Sequence, residues 1–301
     1  MDRTASRAIS GRRLEAFADL TVLRDRSGRG LRPGLRMAGG AVEVDGAFEV
    51  RRRLVPTRAR GVRFAEATGD PNPIHRDGDV VPGAFLAAQV VGTFEALLPD
   101  LRPESLRISF TGVTFYERPL RLRLRAEPAP PGAPAGLRVV ADAWQDDRRV
   151  ADAVLEGSWA RAERVALPLE RVDTAWLGRV VESFDALGID PRSWLEKDAG
   201  PDLSYPLSFL VALPSGTMVR RLEGDGGLLN RLTLELHHTK LPLAGPPEVD
   251  VELPSRIRQS FTRILTLVKE GVQTAIRGTA LVLPRPAIDV VEAQRLGLAR
   301  R

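Results

Sequence analysis

Residues 64–83 read FAEATGDPNPIHRDGDVVPG, and this stretch decides how the rest of the chain is interpreted. A short helical pattern covers residues 62–67, and Gly69 can end that helix by adopting a left-handed backbone angle. Pro71 and Pro73 fix one backbone angle each and push the residues before them towards extended conformations. The stretch therefore predicts a rigid loop between two helices, a setting in which acid/base residues are often presented.

The loop carries a carboxylate and an imidazole, Asp70 and His75. Such a pair can move the protons of a water molecule, because the imidazole titrates near neutral pH. The residues alone leave a plain surface turn as the alternative, since Asp, Asn, Pro and Gly form turns in any protein. His75 favours chemistry, because the chain has three histidines and the other two are neighbours at 237 and 238.

The motif resembles the signature of a known family, and its residues are Ala65-x-x-Thr68-Gly69-Asp70-Pro71-Asn72-Pro73-Ile74-His75-x-Asp77. The family is that of MaoC-like, or (R)-specific, enoyl-CoA hydratases and 3-hydroxyacyl-thioester dehydratases. Its α+β hotdog fold wraps a curved antiparallel sheet around a central helix. The resemblance implies that Asp70 and His75 are the catalytic pair and that Asn72 holds the loop. It also implies that the Gly83 amide helps to bind the thioester oxyanion, for which an unpaired donor at a helix N-terminus is physically suited.

Three features depart from the family pattern. The family usually has His-Gly-Met where this chain has Pro82-Gly83-Ala84. A small polar residue often follows about two turns later and helps to hold the site, but Val91 falls near that position, with Thr93 as a substitute. The link from His75 to Gly83 is short, whereas the family commonly inserts a longer segment over the acyl chain. The acyl chain length is therefore left open.

Composition indicates a globular protein without disulfides. The 301 residues, 43% of them hydrophobic and 28% charged, suffice for one large domain or two of ordinary size. No apolar run reaches the length of a membrane span, and the N-terminus lacks an apolar signal segment, so we expect a cytoplasmic protein. The absence of cysteine excludes disulfides, thiol nucleophiles and thiolate metal sites.

The net charge of +5 comes almost entirely from arginine. The densest cluster lies just before the loop, and its candidate substrate-binding members are Arg52, Arg53, Arg58 and Arg60. One interpretation is a solvated strand face, and the other is a surface for coenzyme A phosphates or an acidic acyl carrier protein. Nucleic acid is not expected, because no nucleic-acid-binding motif or aromatic stacking pattern accompanies the cluster.

The patterns along the chain predict a hotdog unit that occurs twice. An amphipathic helix is predicted over 12–24 and a first strand from residue 41, followed by an all-apolar helix from Gly83. Alternating strands are predicted over 106–116, 120–127, 137–144 and 150–159, with a hairpin loop over 128–134. A sequence repeat with an offset of about 124 residues predicts a second unit. PGAFLAA at 82–88 is similar to PLSFLVA at 206–212, and residues 106–120 are similar to residues 230–243. Two further long strands are predicted over 259–269 and 272–283. The predicted architecture is a double hotdog with an N-terminal extension over 1–35, a first unit over 36–163 and a degenerate second unit over 164–301.

The second unit carries no equivalent of the catalytic pair. Its loop, FDALGIDPRSW at 184–194, has no histidine, so we expect one site per chain, with the second unit supplying pocket wall. His237 and His238 would face opposite sides of a strand and cannot share a metal ion, so no metal is assigned. No separate cofactor is expected, because coenzyme A or phosphopantetheine is part of the substrate that the resemblance implies.

The predicted function is hydration of 2-enoyl thioesters or dehydration of 3-hydroxyacyl thioesters, with an acyl-CoA or acyl carrier protein as partner. Two alternatives stay open. The first is a carrier-protein-dependent dehydratase of polyketide or lipid biosynthesis. The second is a non-catalytic hotdog protein that binds acyl thioesters or accompanies a dehydratase. The oligomeric state is also open, with a homodimer as one option.

Overall fold

The structure, a computed structural model, describes residues 7–10, 20–23, 35–38, 41–44, 48–97, 101–128, 136–159, 171–195, 204–222, 227–237, 241–254 and 262–284. The strands within these ranges are β1 (Arg7–Ser10), β2 (Leu20–Leu23), β3 (Leu35–Ala38), β4 (Ala41–Val44), β5 (Phe48–Leu54), β6 (Leu101–Phe110), β7 (Leu120–Pro128), β8 (Leu137–Gln145), β9 (Arg148–Trp159), β10 (Gly227–Leu236), β11 (Glu248–Glu252), β12 (Thr262–Glu270) and β13 (Gln273–Pro284). The helices are α1 (Arg58–Thr68), α2 (Pro73–Arg76), α3 (Gly83–Leu97), α4 (Thr174–Leu187), α5 (Arg192–Leu195), α6 (Leu207–Leu210) and α7 (Leu213–Arg221).

A ten-stranded antiparallel sheet forms the framework, in the order β11-β12-β13-β10-β6-β9-β8-β7-β5-β2. The two halves of the chain meet within it, because β6 of the first half pairs with β10 of the second. Leu106 and Ile108 lie opposite Leu234 and Leu232 in this pairing, and all four side chains are buried. One apolar core therefore continues across the junction between the halves.

Helix α3 lies at the centre of that core. Thirteen of its fifteen residues are buried, and the exceptions are Gly83 and Glu95. A helix that is apolar on every side is stable only where protein surrounds it completely. The prediction of a buried central helix is therefore confirmed. Gly83, at the N-terminus of this helix, lines the same cavity as His75.

The strand predictions are largely confirmed, but one predicted strand is too long and one predicted helix is wrong in part. Residues 111–116 do not continue β6, because the backbone leaves the sheet after Phe110 and forms a loop instead. The helix predicted over 12–24 is wrong over residues 20–23, which form β2 and pair with β5. The open edge of β5 offers backbone partners that outweigh a weak local helical preference. Residues 12–19 lie outside the described ranges.

The first predicted strand and the predicted domain boundaries have different outcomes. The strand predicted from residue 41 is divided, since β4 joins a small sheet in the order β1-β4-β3 while β5 enters the large sheet. The domain boundaries stay predictions, and the proposed junction at 163 and 164 lies outside the described residues. The second half does place helices α6 and α7 before strands β10, β12 and β13, in the order that the repeat predicted. Within the described part of the chain, no helix is long and apolar enough to span a membrane.

Candidate active site

The loop begins where α1 ends. Gly69 adopts a φ of 72°, and its N–H caps the helix by donating to the carbonyls of Ala65 and Glu66. This left-handed conformation has little strain only in glycine, so the predicted helix end at Gly69 is confirmed. The chain turns sharply at this point, and Asp70 follows directly as the first residue of the loop.

Asp70 is buried and both of its carboxylate oxygens accept hydrogen bonds. Oδ1 accepts from the Asn72 backbone N–H at 3.0 Å, and Oδ2 accepts from the Ser215 hydroxyl at 2.8 Å. Only 4% of Asp70 is exposed, so these bonds replace solvation that the carboxylate would otherwise lose on burial. Ser215 belongs to α7 in the second half of the chain, and sequence reasoning did not select it.

His75 is held in one tautomer. Its Nδ1 lies 2.9 Å from the carbonyl oxygen of Val80, and because a carbonyl can only accept, Nδ1 carries the hydrogen. Nε2 is then the nitrogen that can accept a proton. Burial lowers the pKa of His75 below its usual value, while the Asp70 charge and the Val80 bond oppose this only in part. His75 is therefore neutral at neutral pH and suited to act as a base.

Two further groups fix the backbone of this loop. Asn72 caps α2 through Oδ1, which accepts from the Ile74 N–H at 3.1 Å, while its Nδ2 donates to the Gly227 carbonyl at 3.1 Å. The buried hydroxyl of Tyr116 donates to the His75 carbonyl at 3.0 Å. These bonds are a structural basis for the loop-holding role predicted for Asn72, which stays a prediction.

A cavity of about 180 Å³ opens beside this loop, and we call it the central cavity. Its polar wall includes the side chains of His75 and Ser215, and Gly83 stands at the start of α3. Asp70 is not part of the lining and reaches it through the Ser215 hydroxyl. The apolar wall comes from both halves of the chain and includes Leu86, Phe110, Leu228, Leu229 and Leu283.

Two amides at the start of α3 are unpaired in the ranges that the structure describes, and Gly83, which carries one of them, lines the central cavity. Phe85 N–H donates to the Pro82 carbonyl at 3.0 Å, which places Pro82 before the helix and Gly83 at its first position. The Gly83 and Ala84 amides have no hydrogen-bond partner among the described residues. Unpaired amides at a helix N-terminus favour a negatively charged oxygen, as the prediction for Gly83 requires.

The second half of the chain holds the loop at several further points. Arg179 of α4 donates to the Ala67 carbonyl at 2.7 Å, and Arg220 of α7 donates to the Gly69 carbonyl at 2.8 Å. Gly216 lets α7 approach the loop, because a Cβ at this position would overlap the Gly69 carbonyl. None of these contacts was predicted, since they join residues more than one hundred positions apart.

The sequence repeat could have identified one residue that sequence reasoning missed, Ser215. Thr93, the predicted substitute for the small polar residue near Val91, donates instead to the Gln89 carbonyl at 2.6 Å and accepts from Arg52. It therefore does not contact the loop. Ser215 does, and it stands 124 positions after Val91, which is the offset of the sequence repeat. Applying the repeat to Val91 would have identified Ser215.

The arginines that were predicted to bind substrate differ in burial and in the groups that they contact. Arg52 is only 1% exposed, and its guanidinium donates to Gln89, Thr93 and the Leu187 carbonyl, so burial excludes it from any surface for a carrier. Arg58 pairs with Asp79 and donates to the Gly78 carbonyl. Arg53 and Arg60 are exposed, and neither lines the central cavity. Substrate binding by the remaining members stays a prediction.

The second half contains a similar helix end, which is followed by different side chains. Gly188 ends α4 with a φ of 67°, as Gly69 ends α1, but Ile189 follows it and packs against Gly92 of α3. The Leu207 and Ser208 amides, at the start of α6, donate to the Glu95 carboxylate at 2.6 and 2.8 Å. His237 is exposed just beyond β10, and His238 lies outside the described residues.

The comparisons with known proteins identify the fold. No protein-family model and no curated protein matches the sequence. Among solved structures, a MaoC-like dehydratase superposes with a TM-score of 0.55 at 13% identity, covering 79% of this chain and 97% of its own. HtdX of Mycobacterium tuberculosis superposes with a TM-score of 0.52 at 14% identity, covering 77% of this chain and 98% of its own. The chain has a hotdog fold. At these sequence identities the likeness to solved structures shows the fold alone. This is the fold that the resemblance of the motif at 65–77 implied.

Proposed function

We propose that this protein is an enzyme that reversibly hydrates 2-enoyl thioesters, or dehydrates 3-hydroxyacyl thioesters, at the central cavity. One observation carries the proposal. A neutral His75 with a fixed tautomer lies in an apolar cavity beside Ser215 and Asp70, opposite the open N-terminus of α3. A base, a carboxylate charge and unpaired amide donors are the groups that addition of water to an enoyl thioester requires.

In the hydration direction, the water oxygen forms a bond to C3 while its proton passes to the pair formed by His75 and Asp70. The π electrons of the 2,3 bond move towards C2 and the thioester carbonyl, so an enolate-like charge develops on the carbonyl oxygen. C2 then takes a proton from the pair, which restores the pair and adds one water across the double bond. The Asp70 charge raises the pKa of His75 and so stabilises the imidazolium form during the transfer.

The Gly83 and Ala84 amides are proposed to stabilise the enolate oxygen. The counterpart in the second half supports this role, because the Leu207 and Ser208 amides hold the negatively charged oxygens of Glu95 at 2.6 and 2.8 Å. Leu207 stands 124 positions after Gly83, at the repeat offset. Donors already in place where charge develops lower the barrier more than they stabilise the neutral substrate.

The architecture is proposed to be a double hotdog with one active site per chain. The first unit would supply Asp70, His75 and Gly83, and the second unit would supply Ser215 and much of the apolar wall. The central cavity of about 180 Å³ is smaller than the pockets that hold drug-sized ligands, which favours a short acyl group. No cofactor is required, because the thioester itself provides the carbonyl.

The test is hydration of crotonyl-CoA, followed by the loss of enoyl absorbance and by chromatographic identification of 3-hydroxybutyryl-CoA. We expect the wild type to be active and His75→Ala to lose activity by roughly 10²–10⁴-fold, the usual contribution of a positioned acid or base. Release of free thiol, measured in parallel, would instead indicate thioester hydrolysis.

Inactivity of the wild type towards crotonyl-CoA, crotonyl carrier protein and longer enoyl thioesters would overturn the proposal. A non-catalytic thioester-binding protein would then be the better interpretation. A clear preference for the carrier-bound substrate would support the carrier-protein-dependent dehydratase within the same reaction class.

A further inference from the structure

A second cavity, of about 700 Å³, lies beside the central cavity. Three arginines, Arg118, Arg148 and Arg149, are part of its lining, and we call it the arginine cavity. The two cavities share residues 111–113 as a common wall. A ligand in the arginine cavity would therefore lie next to the central cavity, whose lining includes His75.

The rim of the arginine cavity is held rigidly by a buried side chain. Gln145 is 3% exposed, and its Nε2 donates to the carbonyls of Phe115 and Arg118 at 2.9 and 3.2 Å. Its Oε1 accepts from the Phe115 N–H at 2.7 Å. On the facing side, the Thr111 hydroxyl donates to the Arg149 carbonyl at 2.8 Å. The backbone that carries the arginines is thus fixed before any ligand binds, which lowers the entropy lost on binding.

The charges of the lining favour an anion. Among the described residues Arg148 has no ion-pair partner, and Arg149 has only long pairs with Asp142 at 3.6 Å and Asp152 at 3.7 Å. Arg118 pairs with Asp146 at 2.8 Å. The lining holds three guanidinium groups against the single carboxylate of Asp146. Guanidinium groups bind phosphate through two parallel N–H bonds, so phosphate is the anion that this arrangement suits best.

An aromatic surface accompanies the charges. The Arg118 guanidinium lies 4.8 Å from the centre of the Phe115 ring, and both residues line the cavity. A planar cation stacked on a ring presents flat faces, against which a purine base can stack. The volume of about 700 Å³ also falls in the range of pockets that take whole small molecules.

We propose that the arginine cavity binds the nucleotide end of an acyl-CoA, with the phosphates on Arg118, Arg148 and Arg149 and the base beside Phe115. This inference rests on the proposed function, which requires a thioester carrier whose long arm enters the central cavity. A concave site suits a small nucleotide better than the helical surface of a carrier protein. The nucleotide site is therefore placed after β6 and at the β8–β9 turn, away from Arg53 on β5.

The test compares crotonyl-CoA with crotonyl-pantetheine, which lacks the nucleotide. Arg148→Gln and Arg118→Gln remove a charge and retain much of the side chain. Arg107→Gln is the matched control, because Arg107 is an exposed arginine of β6 that lines neither cavity. We expect each change in the arginine cavity to raise the KM for crotonyl-CoA about tenfold with kcat unchanged. Neither change should alter the KM for crotonyl-pantetheine, and Arg107→Gln should leave the KM for both substrates unchanged.

Calorimetric binding of adenosine 3′,5′-bisphosphate separates this inference from the proposed function. Binding to the wild type, weakened at least tenfold in the Arg118→Gln/Arg148→Gln variant, would support the nucleotide site even if no hydration were found. An active enzyme whose KM for crotonyl-CoA is the same in all variants would overturn the nucleotide site and leave the function intact. An effect confined to crotonyl carrier protein would also overturn it, in favour of a carrier-protein surface.

Discussion

Two loops of the chain follow the same kind of helix end but carry different side chains. Both α1 and α4 end at a left-handed glycine, Gly69 and Gly188. The first loop continues with Asp70, whose carboxylate bonds to Ser215, whereas the second continues with Ile189, which packs against α3. The first loop lies beside the central cavity, whereas the second loop places an apolar side chain against α3. The first loop also carries His75, whereas the second loop has no histidine, so the two loops differ at both positions of the proposed pair.

The amides at the helix starts differ in the same way. Those of Leu207 and Ser208 are occupied by the Glu95 carboxylate, while those of Gly83 and Ala84 are open. An occupied pair stabilises the fold permanently, and an open pair can bind charge that appears only during a reaction. The second half contributes to the proposed site through the Ser215 hydroxyl, and Gly216 lets α7 approach the first loop.

Among the changes in the second half, Gly216→Ala is expected to have the largest effect, and it tests whether the second half positions the first loop. The new methyl group would overlap the Gly69 carbonyl, so α7 and the loop must separate, at roughly 1–3 kcal/mol of stability. We expect hydration of crotonyl-CoA to fall by about 10²-fold, the effect of a small misplacement of reacting groups. Thermal unfolding and kcat/KM are the measurements.

Gly178→Ala is the matched control for that change. Gly178 lies inside α4 with no atom within 4 Å of an added Cβ, so alanine should stabilise the helix by about 0.5–1 kcal/mol and leave activity unchanged. Equal activity of the Gly216→Ala and wild-type proteins would contradict the role given to the second half.

Ser215→Ala tests the contribution of one hydroxyl of the second half, which donates to the Asp70 carboxylate. The Asp70 carboxylate would lose a charge-assisted bond of 2.8 Å, and we expect kcat to fall roughly tenfold, which corresponds to about 1.4 kcal/mol. The control is Ser208→Ala in the second half, because the Ser208 hydroxyl is buried with no partner among the described residues. Steady-state kinetics of both variants test this prediction. If Ser215→Ala had the same kcat as the Ser208→Ala control, Ser215 would have no role in the site.

Glu95→Gln tests the occupied amides of the second half. The neutral side chain retains its shape but weakens two bonds to a helix N-terminus, so we expect a loss of about 1–2 kcal/mol in unfolding free energy. The kcat for crotonyl-CoA should not change. The exposed Glu182→Gln is the control in denaturant unfolding, and a loss of activity in Glu95→Gln would show that the second set of amides takes part in the reaction.

The pKa of His75 gives the smallest but most local test. Burial lowers this pKa, so the imidazole stays neutral below the ordinary value of about 6.5 and the acidic limb of kcat/KM lies below it. The unfolded chain takes up the proton first, so stability falls as the pH drops below that value. Asp70→Asn removes a charge that raises the pKa and should lower it further, as NMR titration of the three histidines can measure. An upward shift would contradict the arrangement.

The sequence was sufficient where local patterns determine the structure. The helix end at Gly69, the all-apolar α3 and the alternating strands follow from backbone preference and periodicity, which neighbouring residues encode. It was insufficient where distant segments meet. The bond from Ser215 to Asp70 and the burial of Arg52 against Leu187 depend on how the halves pack, and an arginine on an alternating strand normally predicts an exposed side chain. The repeat offset from Val91 to Ser215 was the one sequence signal that linked the halves at the site.

The most direct test of one active site per chain compares Asp70→Asn with Asp190→Asn, which changes the aspartate two residues after Gly188 in the second loop. Asp190 bonds to Arg192 and lines neither cavity, so its change should leave kcat/KM for crotonyl-CoA within about twofold of wild type. Asp70→Asn should lower kcat/KM by roughly 10²–10⁴-fold with the fold intact by circular dichroism. Equal losses in the two variants, or none in Asp70→Asn, would contradict the account.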